Sequence, residues 1–434
     1  RTGHATVSLT PILLPAATRD RPVWVRVGVL LDGVATAPLH DAHLVYDDRD
    51  IRYVGPADRP PAPDLLRTPR TAPDLELPDV SVLPSLIEAH AHLFLEGGPV
   101  AADVREAYLK RPATELLELA RARLPRLARL GIVAIRDAGD KHGVGLALQA
   151  DHAAGGTPPY LDSPGPAIHH KGRYGAFMGK PVEDDGSAEA CVEARCRGGA
   201  KRIKLLATGI INFDKGAVTA PPQMTQEEVG EFVRAARARG KPTFAHASGT
   251  EGVGNAIEGG VDTVEHGFFV TSEQLARLRD RSAAWVPTFA PVQAQVDHAA
   301  EMGWSAAIVA GLQRILDGHA AKLREAHALG VRIVAGSDAG SCGVPHGLGF
   351  LTELELMERA GMPTLAVLNA ATGASAAALN LPGPVGRLAA GCLPRMIFTR
   401  FPPLAGVANL RRPRTVVWDG RVLAGAPEDS GEGL

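Results

Sequence analysis

The sequence has no cysteine framework. Its four cysteines, Cys191, Cys196, Cys342 and Cys392, form no Cys-x-x-Cys pair, so no disulfide scaffold is expected and the thiols read as those of a reducing cytoplasm. There is no charge excess either. Lys plus Arg number 46 against 48 for Asp plus Glu, a net charge of −2, which gives neither a basic field for nucleic acid nor an acidic tail. No apolar stretch reaches the ~18 residues that span a bilayer, so no membrane partner is expected. Residues 7–17 are apolar but hold Pro11 and Pro15 and follow no charged leader, so no signal peptide is expected; the chain opens at Arg1 rather than Met, as a trimmed start would. The Gly-x-Gly-x-x-Gly, Gly-x-Ser-x-Gly and P-loop patterns are missing as well, which leaves nucleotide binding and serine-hydrolase chemistry without support. Neither a fixed-period repeat nor a low-complexity segment interrupts the chain.

What is present is enough for a large core: 434 residues, 45% of them hydrophobic, suit one big domain or a big and a small one. The first 80 residues carry short β-like runs at 23–31, 42–46 and 52–55, parted by Pro and Asp clusters such as Pro60, Pro61, Pro63, Pro69 and Pro73. From Val82 the texture changes. Apolar runs at 82–89, 132–136, 166–169, 202–207, 242–246, 261–266, 284–289 and 332–337 alternate with amphipathic stretches at 114–130, 225–239, 272–279 and 308–329. Pro125 predicts a kink or break near the end of the first stretch. Continuous apolar strands alternating with helices predict an α/β fold with a parallel sheet buried on both faces. Eight such units predict a (β/α)8 TIM barrel over residues 82–384. After Ala378 short strands return, at 395–399, 415–418 and 421–423, the last two joined by the turn Asp419-Gly420. Residues 1–81 and 385–434 are therefore expected to build one small β-sandwich domain from both chain termini.

In such a barrel the active site sits at the C-terminal ends of the strands. The first run ends in Glu88-Ala89-His90-Ala91-His92. Side chains two apart on a strand share a face, so His90 and His92 can grip one metal ion at about 2.0–2.1 Å. The fifth run ends at His246, the sixth at His266 and the eighth at Ser337-Asp338, while Lys204 lies in the fourth. Each of these alone is more simply a hydrogen-bonded strand-end residue, a snorkelling lysine or a cap. Their occurrence in order, each at the end of its own apolar run, is what points to a metal site.

With these motifs the sequence resembles the amidohydrolase superfamily, most closely its dinuclear prolidase and imidazolonepropionase-like branch. The resemblance covers nearly the whole chain, through segments 130–137, 240–247, 260–267, 330–340 with its Ser337-Asp338-Ala339-Gly340 run, and the closing strands at 415–422. It implies two divalent metal ions, zinc being the first choice. His90, His92 and Asp338 would bind the more buried ion, and His246 and His266 the more exposed one. Lys204 would bridge both as a carbamate, since an ammonium cannot ligate a cation whereas a carbamate offers two anionic oxygens. Asp338 would be the catalytic group, taking a proton from the attacking water and passing it to the leaving nitrogen.

The implied activity is hydrolysis of an amide, peptide-like C–N bond by a hydroxide generated at the metals, in a peptidase or an enzyme of natural-product peptide maturation. The substrate is expected to be a small molecule or peptide, and self-association of the chain is allowed. Substrate-binding candidates are His169, His170, Arg173 and Tyr174 after the third run, and His346 beyond Asp338; the Pro- and Gly-rich 209–222 segment reads as a lid. Three departures leave the substrate open: Ser248 stands where peptidase relatives often have His or Tyr, the 169–175 loop differs, and Gly391-Cys392-Leu393-Pro394-Arg395 replaces an Ala-Asp-Leu run. Other readings are a one-metal deaminase or cyclic-amide hydrolase of the same superfamily and, in a different class, a non-catalytic scaffold. A deaminase would carry a glutamate at position 249, where Gly249 stands, and has no need of Lys204.

Overall fold

The computed structural model describes residues 12–423; the start of the apolar 7–17 stretch and both ends of the expected terminal domain lie outside them. The chain divides into two compact units, one of Arg1–Ile87, Pro125–Val133 and Pro363–Leu434, the other of Glu88–Leu124 and Ala134–Met362. In chain order the described strands are β1 (Val23–Leu30), β2 (Leu39–Tyr46), β3 (Ile51–Pro56), β4 (Leu75–Pro84), β5 (Leu86–Ala91), β6 (Ile132–Asp137), β7 (Tyr160–Asp162), β8 (Ala167–His169) and β9 (Gly179–Pro181). They continue with β10 (Ile203–Leu206), β11 (Thr243–Ala247), β12 (Thr263–His266), β13 (Ala284–Val286), β14 (Arg332–Ile333), β15 (Met396–Thr399), β16 (Thr415–Trp418) and β17 (Arg421–Leu423).

The first unit is built on one seven-stranded sheet in the order β17-β16-β15-β4-β1-β2-β3. β1 and β4 pair in parallel, and the other pairs are antiparallel. β1 reads Val-Trp-Val-Arg-Val-Gly-Val-Leu, a β-branched run suited to a pleated, half-buried surface. The β2–β3 turn is set by Asp47, whose Oδ1 accepts the Arg49 and Asp50 amides at 2.7 and 2.8 Å. Val25, Leu44 and Tyr46 share a single core with Met396, Phe398 and Val417 from strands farther along the same sheet.

The second unit carries the parallel strands. A seven-stranded sheet runs β14-β13-β12-β11-β10-β8-β9, every register in it parallel, and a three-stranded sheet runs β5-β6-β7. Backbone bonds continue past β14: Val334 N donates to Trp285 O at 3.0 Å, and Ala89 N donates to Ala335 O at 2.9 Å. The segment after β14 therefore lies between β13 and β5. Some of the helices start on side-chain caps, as at Gln226–Arg237 and Ser272–Asp280, where Thr225 with Glu228 and Thr271 with Gln274 form capping boxes. Ser305 caps the long helix Ala306–Leu329.

Three boundaries differ from expectation. The run 82–89 is divided at Ser85, because Val82 to Pro84 pair with β15 in the other sheet and only β5 joins the parallel set. The third run is longer than 166–169: β7 pairs with β6 and β8 with β10, and Pro164 and Pro166, which lack an N–H, lie in the gap between them. The helix Ala113–Arg129 runs on through Pro125 without the expected break. No described helix is long and apolar enough to cross a membrane.

Candidate metal centre

Alternation along β5 and the residue after it sends Glu88, His90 and His92 to one face, and all three are buried. The segment after β14 runs beside them. Asp338 N donates to His90 O at 2.8 Å and His92 N to Ala339 O at 2.7 Å. The approach is close enough to require glycine, since a Cβ on Gly336 would stand 2.9 Å from the His90 Cβ. Asp338 then turns left-handed, at φ 56°. Its Oδ1 lies 3.4 Å from His90 Nε2 and 3.5 Å from His92 Nε2, and its Oδ2 accepts the Ser341 hydroxyl at 2.9 Å.

Parallel register brings up the rest. Lys204 of β10 stands opposite Phe244 of β11, and Ala247 of β11 opposite His266 of β12. Ring centroids step from His92 to His90 (5.6 Å), His90 to His266 (5.1 Å) and His266 to His246 (4.6 Å). Ligand atoms of His90, His266 and Asp338 lie within 4.8 Å of one another.

Three of the imidazoles give one N–H to a protein oxygen: His90 Nδ1 donates to Glu265 Oε2 at 2.6 Å, His92 Nδ1 to Gly139 O at 3.2 Å and His246 Nε2 to Gly209 O at 3.2 Å. The fourth, His266, has its Nδ1 2.7 Å from the Thr288 hydroxyl oxygen. One nitrogen per ring is thus already engaged, and the buried His90 Nε2 has no hydrogen-bond partner among the described residues. Burial, helped by the Lys204 cation, pushes His246 down to about 4 and holds His90 and His92 well below the usual histidine range. His266 is lowered likewise, by burial and then by its histidine neighbours. These rings are neutral, the form that ligates a metal.

Lys204 Nζ, buried, reaches the Met178 sulfur at 3.9 Å and lies 5.7 Å from the centre of the Phe244 ring. Burial pushes it down to about 8 against the pull of Asp338, Glu265 and Asp137, so roughly a tenth of it is neutral amine at pH 7. Burial pushes Asp338 up to about 6, with Lys204 and the Ser341 hydroxyl resisting. Four neutral nitrogen donors, a carboxylate and an amine able to react with carbon dioxide form a donor set that fits divalent cations of the zinc type.

The substrate candidates divide. The Tyr174 ring lies tilted against the His246 ring at 5.3 Å, and burial together with the Asp338 charge raises its hydroxyl pKa. His346 is half-buried, its Nε2 donating to His92 O at 3.0 Å. His169 is buried with Nδ1 on His170 O at 2.8 Å and Nε2 unpartnered. His170 turns to Glu183 at 2.8 Å and Glu228 at 3.4 Å, and Arg173 donates to Pro221 O in the 209–222 segment.

Sequence reasoning missed the residues that orient the candidate ligands. Arg136 Nη2 donates to Glu265 Oε2 at 2.7 Å, beside His90 Nδ1 on the same oxygen. Glu88 Oε1 accepts the Ser337 and His90 amides at 2.9 and 3.1 Å and its Oε2 accepts the Ser337 hydroxyl at 2.7 Å, while burial pushes its carboxyl up to about 8. A signal was available: Glu88, Arg136 and Glu265 are charged residues inside apolar runs, where an unpaired charge is too costly to keep.

The family model of the amidohydrolase family matches residues 81–423. Ochratoxinase of Aspergillus niger is 26% identical over 451 residues, covering 96% of this chain and 89% of that protein. Its crystal structure superposes with a TM-score of 0.77 at 20% identity, over 94% of this chain and 96% of that one. The crystal structure of a Xaa-Pro dipeptidase with methionine bound in the active site gives a TM-score of 0.76 at 24% identity, over 92% and 99%. An uncharacterized protein of Mycobacterium tuberculosis is 27% identical over 349 residues, covering 79% of this chain and 85% of that one.

Proposed function

This chain belongs to the amidohydrolase family and is a hydrolase acting on carbon–nitrogen bonds, and from that premise we propose a two-metal amidase that cleaves a peptide-like bond. His90, His92 and Asp338 would hold one cation, His246 and His266 the other, and a carbamate on Lys204 would bridge them. The observation that carries this reading is the pairing of four neutral imidazoles, each with one nitrogen already bonded, with a buried lysine that has no anionic partner within bonding reach among the described residues. When bound, such cations polarise a carbonyl and lower the pKa of water toward about 7.

The chain's own residues do the rest. Asp338 Oδ1, facing His90 and His92, takes the proton of the attacking water and delivers it to the leaving nitrogen; a carboxyl raised to about 6 is matched to that exchange near neutrality. Asp338 keeps 14% of its side chain exposed, whereas His90 keeps none, so the proton carrier is also the group within reach of substrate. Tyr174, His169 and His346, with His170 and Arg173 on the adjoining loop, would contact substrate. The methionine in the Xaa-Pro dipeptidase structure favours a substrate ending in an amino acid.

We also read the parallel strands as a closed (β/α)8 barrel spanning 82–384, which the bonds from the segment after β14 to β5 support. The single core shared by distant strands of the other sheet supports a β-sandwich from 1–81 and 385–434. The four unpaired thiols favour a reducing, cytoplasmic setting. The test is an N-acyl dipeptide library with added zinc, manganese or cobalt, together with metal analysis. Amide cleavage with about two ions per chain is expected, and Asp338→Asn should lower turnover by at least about 10²-fold while most metal stays bound. Absence of cleavage with every metal would sink the reading.

A further inference from the structure

The end of β13 is a strained point that the chemistry above does not use. Pro287 ends the strand, and Thr288 adopts φ 50°, a left-handed conformation that β-branched residues avoid. Such strain persists only where the surroundings over-determine it, and here they do on both sides. On one side, His319 Nε2 from the helix Ala306–Leu329 donates to Pro287 O at 2.9 Å. The His319 ring is fixed by Phe268, Phe289 and Trp285, with centroids at 4.3, 4.5 and 5.2 Å. On the other side, the Glu353 carboxylate accepts the Phe289 and Ala290 amides at 2.9 and 2.8 Å, meeting the unsatisfied N–H groups that open the helix Ala290–Asp297. Thr288 stands between these two anchors, is fully buried, and its Oγ1 meets His266 Nδ1 at 2.7 Å.

We propose that Thr288 is a positioning residue for His266: its hydroxyl accepts the Nδ1–H and so fixes the tautomer with the lone pair on Nε2, and His319 and Glu353 pin the backbone that presents it. The role of His266 as a ligand rests on the metal-centre reading; the tautomer does not. Burial lowers the His319 pKa to about 4, so the ring remains neutral, with its proton on the nitrogen facing Pro287. A hydroxyl aimed at a ligating imidazole sets its ring plane as well as its proton, and loss of such a partner commonly costs 10–100-fold in metal affinity.

The experiment is nitrogen NMR of the metal-free full chain labelled at histidine, with His266 assigned through His266→Gln. Wild type should show His266 in one Nδ1-protonated form. Thr288→Val, which keeps the shape and removes the hydroxyl, should average the two tautomers, and Thr288→Ser should restore one. His319→Phe, which keeps the aromatic packing and removes the donor to Pro287, should average them as well. Chelator competition should then show one ion held about 10–100-fold more weakly in Thr288→Val and near wild type in Thr288→Ser. An averaged His266 in wild type overturns the proposal, as does a Thr288→Val that matches wild type. A fixed tautomer in His319→Phe removes the pin. If wild type takes up no divalent metal, the metal-centre reading fails while the tautomer result still decides the role of Thr288.

Discussion

Glu265 shows how one oxygen can organise a buried site. Its Oε2 receives both His90 Nδ1 and Arg136 Nη2, and the Arg136 guanidinium also lies 4.3 Å from the centre of the Phe244 ring. The carboxylate thus neutralises a buried cation and raises the basicity of the imidazole it holds. Glu265→Gln keeps the shape and removes the charge. It should weaken metal binding by about 10–100-fold and lower stability by about 3–5 kcal/mol, because Arg136 remains buried without a counter-charge. Chelator competition reads the first effect and urea unfolding of the metal-free protein the second. Unchanged values in both would show that Arg136 and His90 do not depend on that charge.

Between elements, Gln223 joins the two loops that flank the site. Its Oε1 accepts the His170 amide at 2.9 Å, and its Nε2 donates to Tyr174 O at 3.1 Å and Thr208 O at 3.3 Å. Gln223→Ala leaves these buried groups unmet, at about 1–3 kcal/mol each, so amide exchange across 169–175 and 209–222 should accelerate while the helix Gln226–Arg237 stays protected. Exchange as slow as wild type in both loops would refute the coupling. The strands were legible where apolar runs are long, as at β10, β11 and β12, which place Lys204, His246 and His266. They were misread where one run serves two sheets: nothing in Val82-Leu83-Pro84-Ser85-Leu86 marks the handover, since both sheets demand buried apolar residues there. The six metal-site candidates were proposed from the sequence because they fall in order within or just past the ends of successive apolar runs. Thr288 was not, because threonine is ordinary in a strand and its role lies in a backbone angle.

Acid should unsettle the whole molecule through His319. Its folded pKa of about 4 lies below the ordinary 6.5, so its contribution is fully present above pH 6.5 and is lost as pH falls toward 4. Between pH 7 and pH 5 the protonating unfolded chain gains about 2 kcal/mol from this residue. Urea midpoints for wild type and His319→Phe should therefore converge over that interval as wild type weakens; a constant gap would mean that His319 is not the group responding. A separate consequence follows from the left-handed backbone at His266 and Asp338. At these two candidate ligands the backbone turns aside, so the loop beyond each sets out in a direction fixed by that turn. A loop past such a turn could be lengthened or exchanged at its far end as long as the contacts that return to the turn are kept, as Ser341 keeps its bond to Asp338 Oδ2, and that would let the rim of the scaffold vary while the candidate ligands stay in place.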